Sequence, residues 1–181
     1  MLYHHFGCVC PTADALALLA QLCAPRGPKG PRLPVVEIGS GNGYWAYLLR
    51  RAGLAVTAVD NALSAWRSTW IGDTVVADGP QYLRRSGGGR GAVLLLVYPQ
   101  VSADFTASVI GAYEGDVVVV AGTQNGNGYT GFRDERIEEW MARERGCLEL
   151  IARVPLPSFA GKDEGFYVFR RREKEAAKEG S

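Results

Sequence analysis

The chain has 181 residues, 47% of them hydrophobic and 22% charged, with a formal net charge of +1. This composition is that of a globular protein with one well-buried core, and it excludes a disordered or low-complexity chain. A net charge this close to zero gives no argument for a nucleic-acid or acidic-membrane partner, and the longest strong apolar run, 92–98, falls far short of the roughly 20 residues that cross a bilayer.

The first residues lack a basic stretch followed by an apolar core, so a cytoplasmic protein is expected. Cys8, Cys10, Cys23 and Cys147 have no metal-finger spacing, and a domain of this length does not need disulfides, so they read as reduced thiols. His4 and His5 with Cys8 and Cys10 read as surface histidines and partly buried thiols, because Cys-x-Cys is poor zinc spacing. No metal is expected.

In chain order, Thr12 caps a helix that carries Asp14 in its first turn and Leu16, Leu19, Ala20 and Cys23 along one face. The Pro/Gly/basic stretch 24–32 is a solvated connector. A β-branched run, Val35-Val36-Glu37-Ile38, then ends in an acid and three glycines two apart, and a helical pattern follows at once. Glycines in such a strand-to-helix turn allow positive φ and remove the Cβ atoms that would hold a ligand off, while N–H groups at the helix start favour a negative group. The dinucleotide fingerprint Gly-x-Gly-x-x-Gly needs its third glycine where Tyr44 stands. Here that glycine comes one residue early, at Gly43, which disfavours a nicotinamide dinucleotide.

The second helix turns Trp45, Leu48, Leu49 and Ala52 inward and Arg50 and Arg51 outward, and stops at Gly53. Strand 54–59 ends at Asp60. A carboxylate there, about 20 residues beyond the glycines, is where Rossmann-like folds bind ribose hydroxyls; an acid also caps helices in this position, and the spacing favours ribose. Residues 61–70 read as a weaker helix and 73–77 as a short third strand ending in Asp78-Gly79-Pro80, which by itself is a turn. The glycine-rich stretch 86–91 is a flexible connector before 92–97, the most buried-looking strand. Pro99 ends that strand, so Tyr98 and Gln100 sit at the carboxyl edge of the sheet. Ser102 caps a helix bearing Phe105, Val109 and Ala112, and 117–121 is the fifth strand. The polar, glycine-rich loop 122–131 suits a lid or substrate loop, or a mobile connector. A helix over 132–146 faces Ile137, Trp140 and Met141 inward, strands 147–155 and 166–170 close the chain and can pair antiparallel, and 171–181 is a charged tail.

Strand and helix patterns alternate through five strands, and two strands close the chain with no helix between them, which predicts a parallel sheet covered on both faces with the final strand as an antiparallel edge. Glu37-x-Gly39-x-Gly41-x-Gly43 between strand and helix resembles motif I of the class I S-adenosylmethionine-dependent methyltransferases. The resemblance extends over nearly the whole chain. More narrowly, 6–12, 36–46, 94–99 and 166–170 look like a little-characterised group of these proteins.

This resemblance implies a Rossmann-like, seven-stranded, mostly parallel α/β sheet with helices on both faces and an antiparallel last strand, in a single domain over 1–170. It implies S-adenosylmethionine as cofactor, with Glu37, Gly39, Gly41 and Gly43 at the methionine end, Asp60 at the ribose hydroxyls, and Asp78 with Gly79 at the adenine. Where families that methylate planar amines carry Asn or Asp followed by Pro-Pro and an aromatic, this chain has Val97-Tyr98-Pro99-Gln100. That argues against nucleobase or glutamine N-methylation and leaves Tyr98 and Gln100 as substrate contacts. No catalytic base stands out. The expected activity is methyl transfer to an unidentified acceptor, whether small molecule, RNA or protein; the alternative is a cofactor-binding, non-catalytic module acting in binding or assembly.

Overall fold

The computed structural model describes residues 3–25, 30–65, 68–101 and 104–172. The connector at 26–29, the Ser102 cap and the tail beyond 172 lie outside the described residues.

Seven strands form one sheet: β1 (Val35–Ile38), β2 (Val56–Asp60), β3 (Val75–Val76), β4 (Val93–Val97), β5 (Val117–Thr123), β6 (Leu148–Pro155) and β7 (Glu164–Arg171), in the order β3-β2-β1-β4-β5-β7-β6. The neighbours from β3 through β5 pair parallel, while β7 runs antiparallel to both β5 and β6. The chain winds outward from β1 to β3 and then returns to β4 on the other side of β1. The reversal opens a crevice at the carboxyl ends of β1 and β4, where open α/β sheets hold ligands.

Alternation along the strands divides the core in two. Val35, Val93, Leu95, Val119 and Phe166 pack with α1 (Ala13–Leu22) and α2 (Tyr44–Arg51) on one face. Val36, Leu94, Leu96, Val118 and Phe169 pack on the other with α3 (Gly79–Arg85), α4 (Phe105–Ala112) and α5 (Ile137–Glu144). The unbroken apolar run of β4 is thus buried on both sides. The Thr12 hydroxyl caps α1 by accepting from the Ala15 N–H at 3.2 Å.

The final strand is not the edge. It lies between β5 and β6, and β6 is outermost. Phe166, Tyr167, Val168 and Phe169 are all buried, and each large apolar side chain removed from water contributes roughly 1.5–3 kcal/mol. β6 carries Glu149 and Arg153, with five of its eight residues exposed and a bulge between Leu150 and Ala152, devices that suit an edge.

Other elements also differ from expectation. No helix forms in the described part of 61–70. Strand three shrinks to two exposed residues. Asp78-Gly79-Pro80 is not merely a turn: the Asp78 carboxylate accepts from the Gln81 N–H at 2.9 Å and proline occupies the first turn, which starts α3. Helix α4 begins with Asp104 at its N-cap, and α5 begins five residues later than its pattern, with Ile137, Trp140 and Met141 buried as expected. The 86–91 connector is packed rather than loose, since Gly88 accepts from the Glu114 N–H at 2.8 Å and a Cβ on Gly88 would meet the Glu114 side chain at 2.8 Å. Arg50 turns back to donate to the Val56 carbonyl and to Asp73. No helix among the described residues is long and apolar enough to cross a membrane.

Candidate cofactor site

A cavity of about 440 Å³ occupies the crevice at the switch between β1 and β4. Of the nine residues singled out from sequence, Glu37, Gly39, Gly41, Asp60, Asp78, Gly79, Tyr98 and Gln100 line it. Gly43 does not. It caps α2 at φ +76, and a Cβ there would meet Ile71 at 2.4 Å, so this glycine serves the packing of the turn rather than the cavity wall.

The turn uses most of its backbone donors internally. The N–H groups of Gly39 and Ser40 donate to the Val59 carbonyl at 2.8 and 3.1 Å, Gly41 N–H donates to Asp60 Oδ2 at 2.8 Å, and Tyr44 N–H donates to Asn42 Oδ1 at 3.2 Å. Asp60 therefore ties β2 to the glycine turn, and its other oxygen accepts from the Ala62 N–H at 2.8 Å. A carboxylate has about four lone-pair positions, so capacity for further donors remains on both oxygens.

Two buried side-chain atoms on the cavity wall are left unsatisfied. Glu37 is 1% exposed, and its Oε2 has no hydrogen-bond partner; neither has the Ser40 hydroxyl, buried on the same wall. Burial pushes the Glu37 carboxyl up to about 8, against the opposing pull of the Ala46 N–H and the Arg50 guanidinium and with a further push from Asp60. Glu37, Asp60 and Asp78 are the acids of the cavity, and no basic side chain lines it among the described residues.

Gly7 and Cys8 close the cavity from the N-terminal side, both at positive φ (77° and 64°). The His5 carbonyl holds that segment down by accepting from Asn42 Nδ2 at 2.9 Å and Trp70 Nε1 at 2.6 Å, and Trp45 Nε1 donates to the Val9 carbonyl at 2.9 Å. Burial first, then the Glu164 carboxylate, raise the Cys8 thiol. Among the described residues no group of three or more His, Cys, Asp or Glu is placed to hold a metal ion.

Ser40, Gly7, Cys8 and Phe105 are wall residues that sequence reading did not find. Ser40 was readable as the residue between the glycines. Gly7 and Cys8 fall in the 6–12 stretch noted for its resemblance, but nothing local there marks them as wall residues, since only the fold brings them across some thirty positions to the turn. The loop 122–131 contributes nothing to the wall.

No protein-family model matches the chain, and no curated protein matches it. Solved structures do. Magnesium protoporphyrin IX methyltransferase from Synechocystis PCC 6803 with bound SAM is similar at a TM-score of 0.58 and 12% identity, covering 88% of this chain and 77% of that one. The N-methyltransferase NodS from Bradyrhizobium japonicum WM9 is similar at 0.52 and 15% identity, over 88% and 94%. The CcbJ methyltransferase from Streptomyces caelestis gives 0.51 and 15%, also over 88% and 94%. By strand order, the lone antiparallel strand and these likenesses, the chain carries the seven-stranded, Rossmann-like fold of the class I S-adenosylmethionine-dependent methyltransferases.

Proposed function

We propose that this protein binds S-adenosylmethionine in the β1/β4 crevice and transfers its methyl group to an acceptor. The observation that carries the reading is the orphaned Glu37 Oε2 beside the glycine turn, in a cavity whose charged lining is wholly acidic. Such a lining fits a ligand with an ammonium, a positive sulfur and ribose hydroxyls, and it repels a pyrophosphate. Pockets for molecules of this size run from roughly 300 to 1,000 Å³, and this one falls within that range.

In this reading Glu37, with Gly39, Gly41 and the Ser40 hydroxyl, holds the amino-acid end. Asp60 takes the ribose hydroxyls, and Asp78 with Gly79 flanks the adenine. The chemistry supplied by bound S-adenosylmethionine is an electrophilic methyl carbon on positive sulfur. The chain's own contribution is alignment and exclusion of water, which together can supply most of the acceleration of an in-line displacement. Gly7 and Cys8 cover the crevice, while Tyr98 and Gln100 face the acceptor.

Calorimetric titration with S-adenosylhomocysteine and with NADH tests this. The first should bind and the second should not, and Asp60→Ala should weaken the first by roughly 1–3 kcal/mol. Tighter binding of NADH, or unchanged affinity in a folded Asp60→Ala variant, refutes the assignment. A second reading, a cofactor-binding module without turnover, draws on the position of Glu37, Asp60 and Asp78, all at the cofactor end where none serves as a base. Binding without turnover across a broad acceptor panel selects it.

A further inference from the structure

Charge is divided along the carboxyl edge of the sheet. Asp78, Asp60 and Glu37 follow β3 and end or occupy β2 and β1, so all three acids of the cavity lie on one side of the switch point. Across it, at the end of β4, Tyr98 lines the cavity at φ 48, a left-handed conformation that costs a non-glycine residue energy and that clusters at ligand sites. The Lys162 ammonium, from the loop between β6 and β7, lies 3.4 Å from the Tyr98 hydroxyl and 5.6 Å from its ring centre.

Lys162 has no carboxylate within ion-pair distance among the described residues. The adjacent acids are engaged elsewhere: Asp163 accepts from the Gln124 N–H at 2.9 Å, and buried Glu164 accepts from the Thr123 hydroxyl at 3.4 Å. The loop that carries the lysine is held rigidly. The Gly161 carbonyl accepts from Asn125 and Asn127 at 3.0 and 3.1 Å, Lys162 N–H donates to the Phe159 carbonyl at 3.1 Å, and Glu164 N–H donates to the Ser158 hydroxyl at 2.7 Å.

An ammonium donates and cannot accept, so the Tyr98 oxygen accepts the hydrogen bond from Lys162 and its own O–H is left to donate. No protein acceptor takes that O–H among the described residues. A donor chain running from a cation through a phenol is polarised toward its far end, and Tyr98 is a wall residue of the cavity.

Resting on the cofactor reading above, we infer that the acceptor is an organic acid whose carboxylate is received by the Tyr98 hydroxyl, with Lys162 as the positioning cation behind it. Transfer to a carboxylate oxygen also closes without a base. The oxygen's electron pair forms the new bond to carbon, the carbon–sulfur pair stays on sulfur, and the negative and positive charges cancel with no proton to remove. An amine acceptor would instead call for an acid on this side of the cavity, and the lining acids are on the other.

The test is saturation-transfer NMR and calorimetry on the protein loaded with S-adenosylhomocysteine, using benzoate, benzamide and benzylamine as probes. Benzoate should bind about tenfold tighter than benzamide, the size expected of one charge-assisted hydrogen bond. Lys162→Ala should erase that preference and Lys162→Arg should keep it, both with unchanged S-adenosylhomocysteine affinity and melting temperature. Tyr98→Phe, which keeps the ring, should erase it too. Equal affinities for the three probes, including no measurable binding of any, or a preference that survives Lys162→Ala, overturns the inference while leaving the cofactor reading intact. Failure of S-adenosylhomocysteine to bind overturns both.

Discussion

The glycine turn at 39–43 and the loop at 124–131 both leave the carboxyl edge of the sheet, and both are polar and glycine-rich. They end in opposite states. In the loop, buried Gln124 donates to the Thr130 carbonyl at 3.1 Å and accepts from the Ile137 N–H at 2.6 Å. Thr130 N–H donates to Thr123 and Gly131 N–H to Pro99, at 2.9 and 2.8 Å. The loop is therefore neither a lid nor a mobile connector but a brace that fixes the start of α5 and the segment before β7. At the glycine turn the backbone is equally well satisfied, yet Glu37 Oε2 and Ser40 Oγ are left without partners on a cavity wall. Composition alone does not separate a ligand site from a brace. What separates them is that the partnerless Glu37 Oε2 and Ser40 Oγ stand on the cavity wall, where a ligand could complete them, whereas no residue of the loop lines the cavity.

The comparison can be broken most severely at Glu37. Its folded value of about 8 exceeds its ordinary 4.5, so the unfolded chain ionises first. The native state therefore loses stability relative to the unfolded one as pH rises from 4.5 to 8. Glu37→Gln should match the parent near pH 4 and be more stable by a few kcal/mol at pH 8, read by urea unfolding. It should also bind S-adenosylhomocysteine more weakly and lack the rise in affinity expected of the parent between pH 6 and 8, where an ammonium beside Glu37 favours release of its proton. A variant no more stable than the parent at pH 8 would show that the carboxyl is not strained.

At the brace, Gln124→Ala strands the buried Ile137 N–H and should cost about 1–3 kcal/mol in unfolding free energy, with no change in S-adenosylhomocysteine affinity. Coupled loss of affinity would instead tie the loop to the site. The smallest effect is expected at Ser40→Ala. Removing a hydroxyl that has no partner should leave stability within about 0.5 kcal/mol, while ligand affinity falls by roughly 0.5–1.5 kcal/mol. An equal fall in stability would mean the hydroxyl already has work in the free protein.

Local pattern was enough for what local physics decides. Thr12 ahead of Asp14 marked a helix start, the apolar run 92–97 marked a strand covered on both faces, and Glu37-x-Gly39-x-Gly41 marked a turn beside the crevice, with Asp60 at the spacing that brings it there. Asp78-Gly79-Pro80 shows the limit, because an N-cap and a turn begin with the same three residues, and only the continuation into α3, with the Gln81 N–H donating to Asp78, decides between them.

What the sequence by itself determined was the alternation of strand and helix, the acidic glycine turn and the strand-end acids that line one cavity, since each follows from side-chain period and backbone freedom within a few residues. Only the tertiary structure decided that β7 lies inside β6, that Gly7 and Cys8 close the crevice, that Gly43 packs on Ile71, and that Lys162 stands behind Tyr98. Those outcomes depend on which distant segments compete to bury apolar surface and to satisfy each other's hydrogen bonds, and no short window of sequence contains both competitors.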